Sequence, residues 1–151
     1  MTAPDLTKFG LLAGMNDEML GVFSRYLTTR RFEEGSLIFV EKMEGESLFL
    51  IEKGAVSLTK MITEGVEKRL ARLGPGESFG ELAVIDAGAR AVTVRVIEDT
   101  DILILSRDGL GRLCRERPDI AVVFLMSLFR RTISLLRQNV PLMAQSLGEG
   151  T

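Results

Sequence analysis

The spacing of apolar residues changes twice along this chain and divides it into three stretches. In the first, Met19, Leu20, Phe23 and Leu27 recur at helical intervals. Asn16 precedes them as an N-cap, and Asp17 and Glu18 occupy the first turn, where acidic side chains suit the helix dipole. Phe9, Leu11 and Leu12 read as a short preceding turn. From Arg31 to Ser106 the pattern shortens to apolar runs punctuated by glycines. Residues 37–40, 48–51, 55–62, 66–73, 92–97 and 102–105 each read as a strand. Glu52-Lys53-Gly54 and Thr63-Glu64-Gly65 read as hairpin turns between them. Closely spaced strands with turn signals between them predict an antiparallel barrel or sandwich.

After Ser106 the helical period returns. Residues 107–115 form one short helix in this reading. Pro118 suits the first position of another, where its fixed φ and missing N–H cost nothing. That helix is expected to run to about Asn139, with Pro141 as its limit and the tail from Gly148 to Thr151 frayed. Ile120, Val122, Val123, Phe124, Leu125, Met126, Leu128 and Phe129 leave it almost no polar face, and Ile133, Leu135 and Leu136 continue the stripe. A helix apolar all round is buried on more than one side. One side can lie on the barrel. The other implies either a homodimer through this helix, the favoured reading, or a sandwich with the N-terminal helices.

Composition narrows the chemistry. The length of 151 residues suits a single domain, read as N-terminal helices (1–30), a β-barrel (31–106), closing helices (107–140) and a tail (141–151). Nineteen Lys+Arg against 21 Asp+Glu give a net charge of -2, without the basic excess of nucleic-acid binders. There is no histidine, so imidazole acid/base catalysis and histidine metal ligands are excluded. A metal cofactor is not expected. The lone Cys114 offers neither an internal disulfide nor a thiolate pair for zinc, and reads as a small apolar residue compatible with a reducing cytoplasm. No signal-like start is present, and the apolar run 120–129 is far short of the roughly 20 residues that span a bilayer. A soluble cytoplasmic protein without membrane partners is expected.

The densest chemistry lies between Gly76 and Val96. Gly76 and Gly80 allow the backbone to turn and approach a ligand closely. Phe79, Leu82, Ala83, Val84 and Ile85 can form one helical turn, whose first N–H groups suit an anion. Arg90 supplies a permanent positive charge with a planar fork of donors matched to phosphate oxygens. Glu81 accepts only, so it suits a ribose hydroxyl. Taken singly, Gly80 reads as a turn glycine, Glu81 as a surface charge and Arg90 as its structural partner. In this order they read together as a ribose-phosphate clamp.

Phe79-Gly80-Glu81-Leu82-Ala83 followed by Arg90-Ala91-Val92-Thr93 resembles the phosphate-binding cassette of cyclic-nucleotide-binding domains. Such domains occur in protein kinase A regulatory subunits, cyclic-nucleotide-gated channels and bacterial catabolite activators. The likeness covers almost the whole chain, through the stretches from Phe32 to Phe39 and from Gly45 to Gly54, Arg117-Pro118-Asp119 and Arg130-Arg131. It implies a mainly β fold, an antiparallel eight-stranded jelly-roll barrel flanked by N-terminal helices and a C-terminal lid and dimer helix. It also implies that Arg90 binds the cyclic phosphate and Glu81 the ribose 2′-hydroxyl. Phe79, Gly80, Leu82, Ala83, Ala91 and Val92 would complete the site, and the final helix would cover the base. Ala89 stands where the family often has proline. Ala91 stands where cGMP-selective relatives often carry threonine, which favours cAMP over cGMP. Leu135 and Leu136 stand near where catabolite activators place hydroxyl residues, so the lid would hold the base by apolar contact.

The expected function is therefore a stand-alone cyclic-nucleotide sensor, since little follows the lid helix. Binding would change helix packing and regulate a downstream protein, with no catalysis. The alternative is a degenerate domain serving as a dimerisation or protein-interaction scaffold.

Overall fold

A computed structural model describes residues 4–149, with side chains given through residue 138 and at Val140. The start at Met1-Thr2-Ala3 and the tail residues 150–151 lie outside the described residues. A 3₁₀ turn, Gly10–Leu12, precedes helix α1 (Asp17–Ser24). Asn16 caps α1 as expected, its side chain accepting a hydrogen bond from the Met19 N–H at 2.9 Å. Leu27, counted with α1 by its spacing, lies beyond the helix.

Among the described residues eight strands follow: β1 (Thr28–Phe32), β2 (Leu37–Phe39), β3 (Glu44–Gly45), β4 (Ser47–Thr63), β5 (Val66–Leu73), β6 (Ser78–Phe79), β7 (Gly88–Ala89) and β8 (Thr93–Ser106). Every pairing is antiparallel. The main sheet runs β1-β8-β4-β5, with β2 added to β8 and β6 to β4, and β3 and β7 form a separate pair. The chain closes with α2 (Arg107–Glu116) and α3 (Pro118–Glu149). This is a mainly β, antiparallel jelly-roll barrel with helices at both ends of the chain.

The barrel is built on β4 and β8, which pair from Ser47↔Ser106 to Thr59↔Thr93. Leu48 and Leu50 of β4, with Leu103 and Leu105 of β8, face a helical core containing Phe9, Phe23 and Phe124. The alternate residues Phe49, Ile51 and Ile102 face the barrel interior with Phe39, Phe79 and Val94. The apolar runs at 48–51 and 102–105 are continuous because each strand buries both faces there.

Several sequence expectations about the strands change. The runs 48–51 and 55–62 are one strand, and the runs 92–97 and 102–105 also merge into one, which begins at Thr93. The Lys53-Gly54 signal is a bulge inside β4 and not a hairpin. Register shifts cluster between Ile51 and Val56, and Gly54 has φ +94°. A positive φ serves a bulge as well as a turn. Opposite it, the fully buried Thr100 hydroxyl accepts from the Ala55 N–H (3.1 Å) and donates to the Glu98 carbonyl (2.7 Å). The Glu64-Gly65 turn does form, joining Thr63 to Val66.

Strand β1 was not expected. Thr28, Thr29, Arg30 and Arg31 are exposed, so no apolar alternation announces it. It is an edge strand, and its charges suit an edge. Helix α3 passes Pro141 and continues to Glu149. An internal proline costs one hydrogen bond and some strain, about 3 kcal/mol, which good helix formers on both sides can outweigh. Pro118 does open α3, as expected.

One side of α3's apolar surface packs inside the chain and the other does not. Ile120, Phe124 and Leu128 are buried in the helical core, and Ser127 Oγ donates to the Leu11 carbonyl at 2.6 Å. Val122, Met126 and Phe129 remain exposed on the other side.

Gly54 tests the bulge. A Cβ there would lie 2.5 Å from the Asp99 carbonyl oxygen, in a conformation that L side chains rarely adopt. Gly54→Ala is expected to lower unfolding free energy by about 2 kcal/mol or more in urea titrations.

Candidate functional site

The pair β3–β7 delivers Arg90. Glu44 pairs with Ala89 and Gly45 with Gly88, and the chain then enters Arg90. Its backbone is held on both sides: Arg90 N–H donates to the Met43 carbonyl and Lys42 N–H to the Arg90 carbonyl, each at 2.7 Å. The side chain turns inward and is 8% exposed.

The guanidinium lies on an aromatic floor. Its Cζ is 4.2 Å from the Phe39 ring centroid and 5.6 Å from that of Phe49. Phe79 stacks on Phe49 at 5.0 Å and nearly parallel. Two glycines make room for the group. A Cβ at Gly45 would fall 1.9 Å from Arg90 Nε and 2.2 Å from Cζ, and one at Gly80 would fall 2.8 Å from Nη1. Gly80 also has φ +73°, which turns the chain into the 3₁₀ turn Glu81–Val84.

The charge is poorly compensated. Nη2 donates to the Ser47 carbonyl at 3.1 Å, while Nε is buried without a hydrogen-bond partner. Among the described residues no carboxylate pairs with it. Burial lowers the Arg90 pKa below its ordinary value, yet guanidinium stays charged at physiological pH. A buried, permanently charged group with an unmet donor has the chemistry to hold an anion.

Glu81 is not the missing partner. Its Oε1 accepts a hydrogen bond from the Ser78 hydroxyl at 2.8 Å and forms an ion pair with Arg131 Nε on α3 at 3.3 Å. The two charged groups therefore face the pocket separately, and the reading of Arg90 as a structural partner of Glu81 is overturned.

Between them lies a cleft of about 430 Å³. Phe79, Gly80, Glu81, Leu82, Ala83, Arg90, Ala91 and Val92, all singled out in the sequence, line it. Leu135 lines it from α3; Leu136 does not, and is exposed. Phe39, Leu58 and Leu73 add apolar wall from the barrel.

Arg131, Ser78 and Gly45 were missed as contributors. Arg131 carried a signal, since it precedes Leu135 by one helical turn and so shares its face. Ser78 and Gly45 carried none, because their roles depend on contacts with Glu81 and Arg90.

Residues 29–117 match the family model described as "Cyclic nucleotide-binding domain". That span includes the Arg90 pocket with its glycines and aromatic floor. The chain belongs to the cyclic nucleotide-binding domain family. The Cyclic AMP receptor protein of Thermus thermophilus is 35% identical over 80% of this chain and 56% of its own length. The chain thus spans little more than half of that relative. The N-terminal domain of a transcriptional regulator from Streptomyces coelicolor superposes with a TM-score of 0.80 at 28% identity, covering 92% of this chain and 95% of that domain. The regulatory domain of Toxoplasma gondii PKA, crystallised with cAMP, superposes at 0.63 with 26% identity, covering 71% of this chain and 41% of that one.

The unmet charge of the binding domain has a stability cost that can be measured without ligand. Arg90→Met replaces a desolvated cation with a flexible apolar chain above the Phe39 and Phe49 rings. It is expected to stabilise the ligand-free domain by about 1–3 kcal/mol in urea unfolding, as other buried-charge replacements do.

Proposed function

We propose that this domain senses a cyclic nucleotide, with cAMP favoured, and transmits occupancy through α3 to a protein partner. The observation that carries this reading is the buried Arg90 guanidinium with its unsatisfied Nε. A cyclic phosphate is a monoanion whose oxygens match a guanidinium fork. Glu81 would take the ribose 2′-hydroxyl on the other side. Gly80, Leu82, Ala83, Ala91 and Val92 would contribute backbone contacts, and Phe79 closes the aromatic floor beneath the phosphate. Leu135 would meet the base. Ala91 has no hydroxyl to offer a guanine, which supports cAMP over cGMP as the preferred ligand.

Transmission would use Glu81. Its carboxylate holds Arg131 of α3, so a hydroxyl donated to the same carboxylate touches the helix through one intervening group. A ligand shifts α3 only to the extent that it binds two helix arrangements differently. Relatives include a CRP-like cAMP-activated global transcriptional regulator of Mycobacterium tuberculosis, of which the matched region makes up 56%. With a net charge of -2, this stretch is read as the sensing part, contacting protein and not nucleic acid. Among the described residues no helix is long and apolar enough to cross a membrane; a cytoplasmic location is part of the same reading.

A homodimer through α3 has its own support. Val122, Met126, Phe129, Ile133, Leu136 and Val140 follow alternating steps of four and three, the seam of a coiled coil. All but the half-buried Ile133 are exposed, although each is apolar. β-Branched Ile133 and Val140 at one seam position, with Leu136 at the other, favour two parallel strands. The scaffold alternative fits the buried charge less well, because a disused site would gain stability by losing Arg90.

Saturating cAMP is expected to raise the Tm of the wild-type domain by mass action, and Arg90→Ala to remove that rise while leaving a cooperative transition. If neither cAMP nor cGMP at millimolar concentration shifts Tm, the sensor reading fails. Light scattering is expected to give a dimer for the wild type and a monomer for Phe129→Glu; a wild-type monomer with and without nucleotide would refute the seam.

A further inference from the structure

We infer that Ser78 is a positioning residue that sets which oxygen of Glu81 meets the ligand, an inference resting on the proposed Glu81–ribose contact. Ser78 sits on β6, where pairing with Leu50 of β4 fixes its backbone. It is 5% exposed, so its hydroxyl needs a partner inside the protein. It donates to Glu81 Oε1 at 2.8 Å and makes no other side-chain hydrogen bond among the described residues.

Arg131 holds the same oxygen at 3.3 Å. The two contacts, an ion pair and a hydrogen bond, differ in kind. Arg131 is a long side chain, 42% exposed, on a helix that the proposed mechanism moves. Ser78 is short, buried and fixed to the sheet. When Arg131 shifts, the serine alone keeps Oε1 occupied. Oε2 takes no hydrogen bond from any described residue and is the oxygen left for a hydroxyl donor. A free glutamate would divide its time among several rotamers, and ordering it would weaken binding. The buried serine removes that cost before the ligand arrives.

The contribution must therefore depend on the ligand's 2′-hydroxyl. By calorimetric titration, Ser78→Ala is expected to weaken cAMP about tenfold, as for loss of one hydrogen bond to a charged group, and to leave 2′-deoxy-cAMP unchanged. In a Glu81→Ala background it should add nothing. Equal weakening of both ligands would show that Ser78 acts only through general packing, and no weakening of cAMP would show that Glu81 needs no such support; either overturns the inference. Glu81→Ala separates this from failure of the underlying reading. If it penalises cAMP more than 2′-deoxy-cAMP and Ser78→Ala does not, only the positioning role is lost. If it affects both equally, the Glu81–ribose contact falls and the inference falls with it.

Discussion

The burial of one unpaired guanidinium is the constraint around which this domain is arranged. Taking a charged group out of water costs several kcal/mol even after the protein relaxes. Arg90 recovers part of this from the Phe39 and Phe49 rings and one carbonyl. A desolvated cation–π contact contributes about 2 kcal/mol, and a hydrogen bond from a charged group about 1.5–3. Nε still lacks an acceptor. The site is held in this unfavourable state by its backbone, which is bonded to residues 42 and 43 on both sides of the arginine. Gly45 and Gly80 then leave the side chain no other wall to meet.

That arrangement needs a barrel that bends sharply and keeps its register. Strands β4 and β8 supply it by running through both cores. Their alternate residues bind the helical layer to the barrel layer, so a displacement of either is felt by the other. The bulge at Gly54 and the buried Thr100 hydroxyl let the ladder turn without orphaning a buried amide. Phe49 and Phe79 sit on the portion where β4 pairs β6. The aromatic floor is thus part of the sheet and not an appended loop.

Much of this was legible in the sequence where local chemistry decides the outcome. Asn16 caps its helix, Gly65 closes its hairpin, and the eight residues read as ligand contacts line one cleft. Legibility failed where a residue's meaning is set by a distant neighbour. Gly54 carries the same positive φ in a bulge as it would in a turn, and only the Thr100 partner distinguishes them. Thr28 to Arg31 form an edge strand that buries too little to show a period. Pro141 is a local stop signal overridden by its helical neighbours. Gly45 and Ser78 have no pattern of their own; one is defined by the volume of Arg90, the other by a lone pair of Glu81.

Under the proposed reading, helix α3 gives the site an output. Its first turns are locked by Ile120, Phe124 and Leu128, whose exposure is 2% or less. Beyond Leu128 no described side chain of α3 is fully buried. The tie between Arg131 and Glu81 begins this second part, and both side chains are partly exposed. Exposed ion pairs contribute about 0–1 kcal/mol. Such a tie is too weak to lock the helix but sufficient to bias it, because a ligand that alters Glu81 need supply only a comparable energy. The buried first turns resist that bias, so the response would be confined to the length of α3 carrying the Phe129–Val140 seam. Under the proposed reading, the ligand contact and the association surface lie on successive turns of one helix, and the free energy linking them need not pass through the barrel.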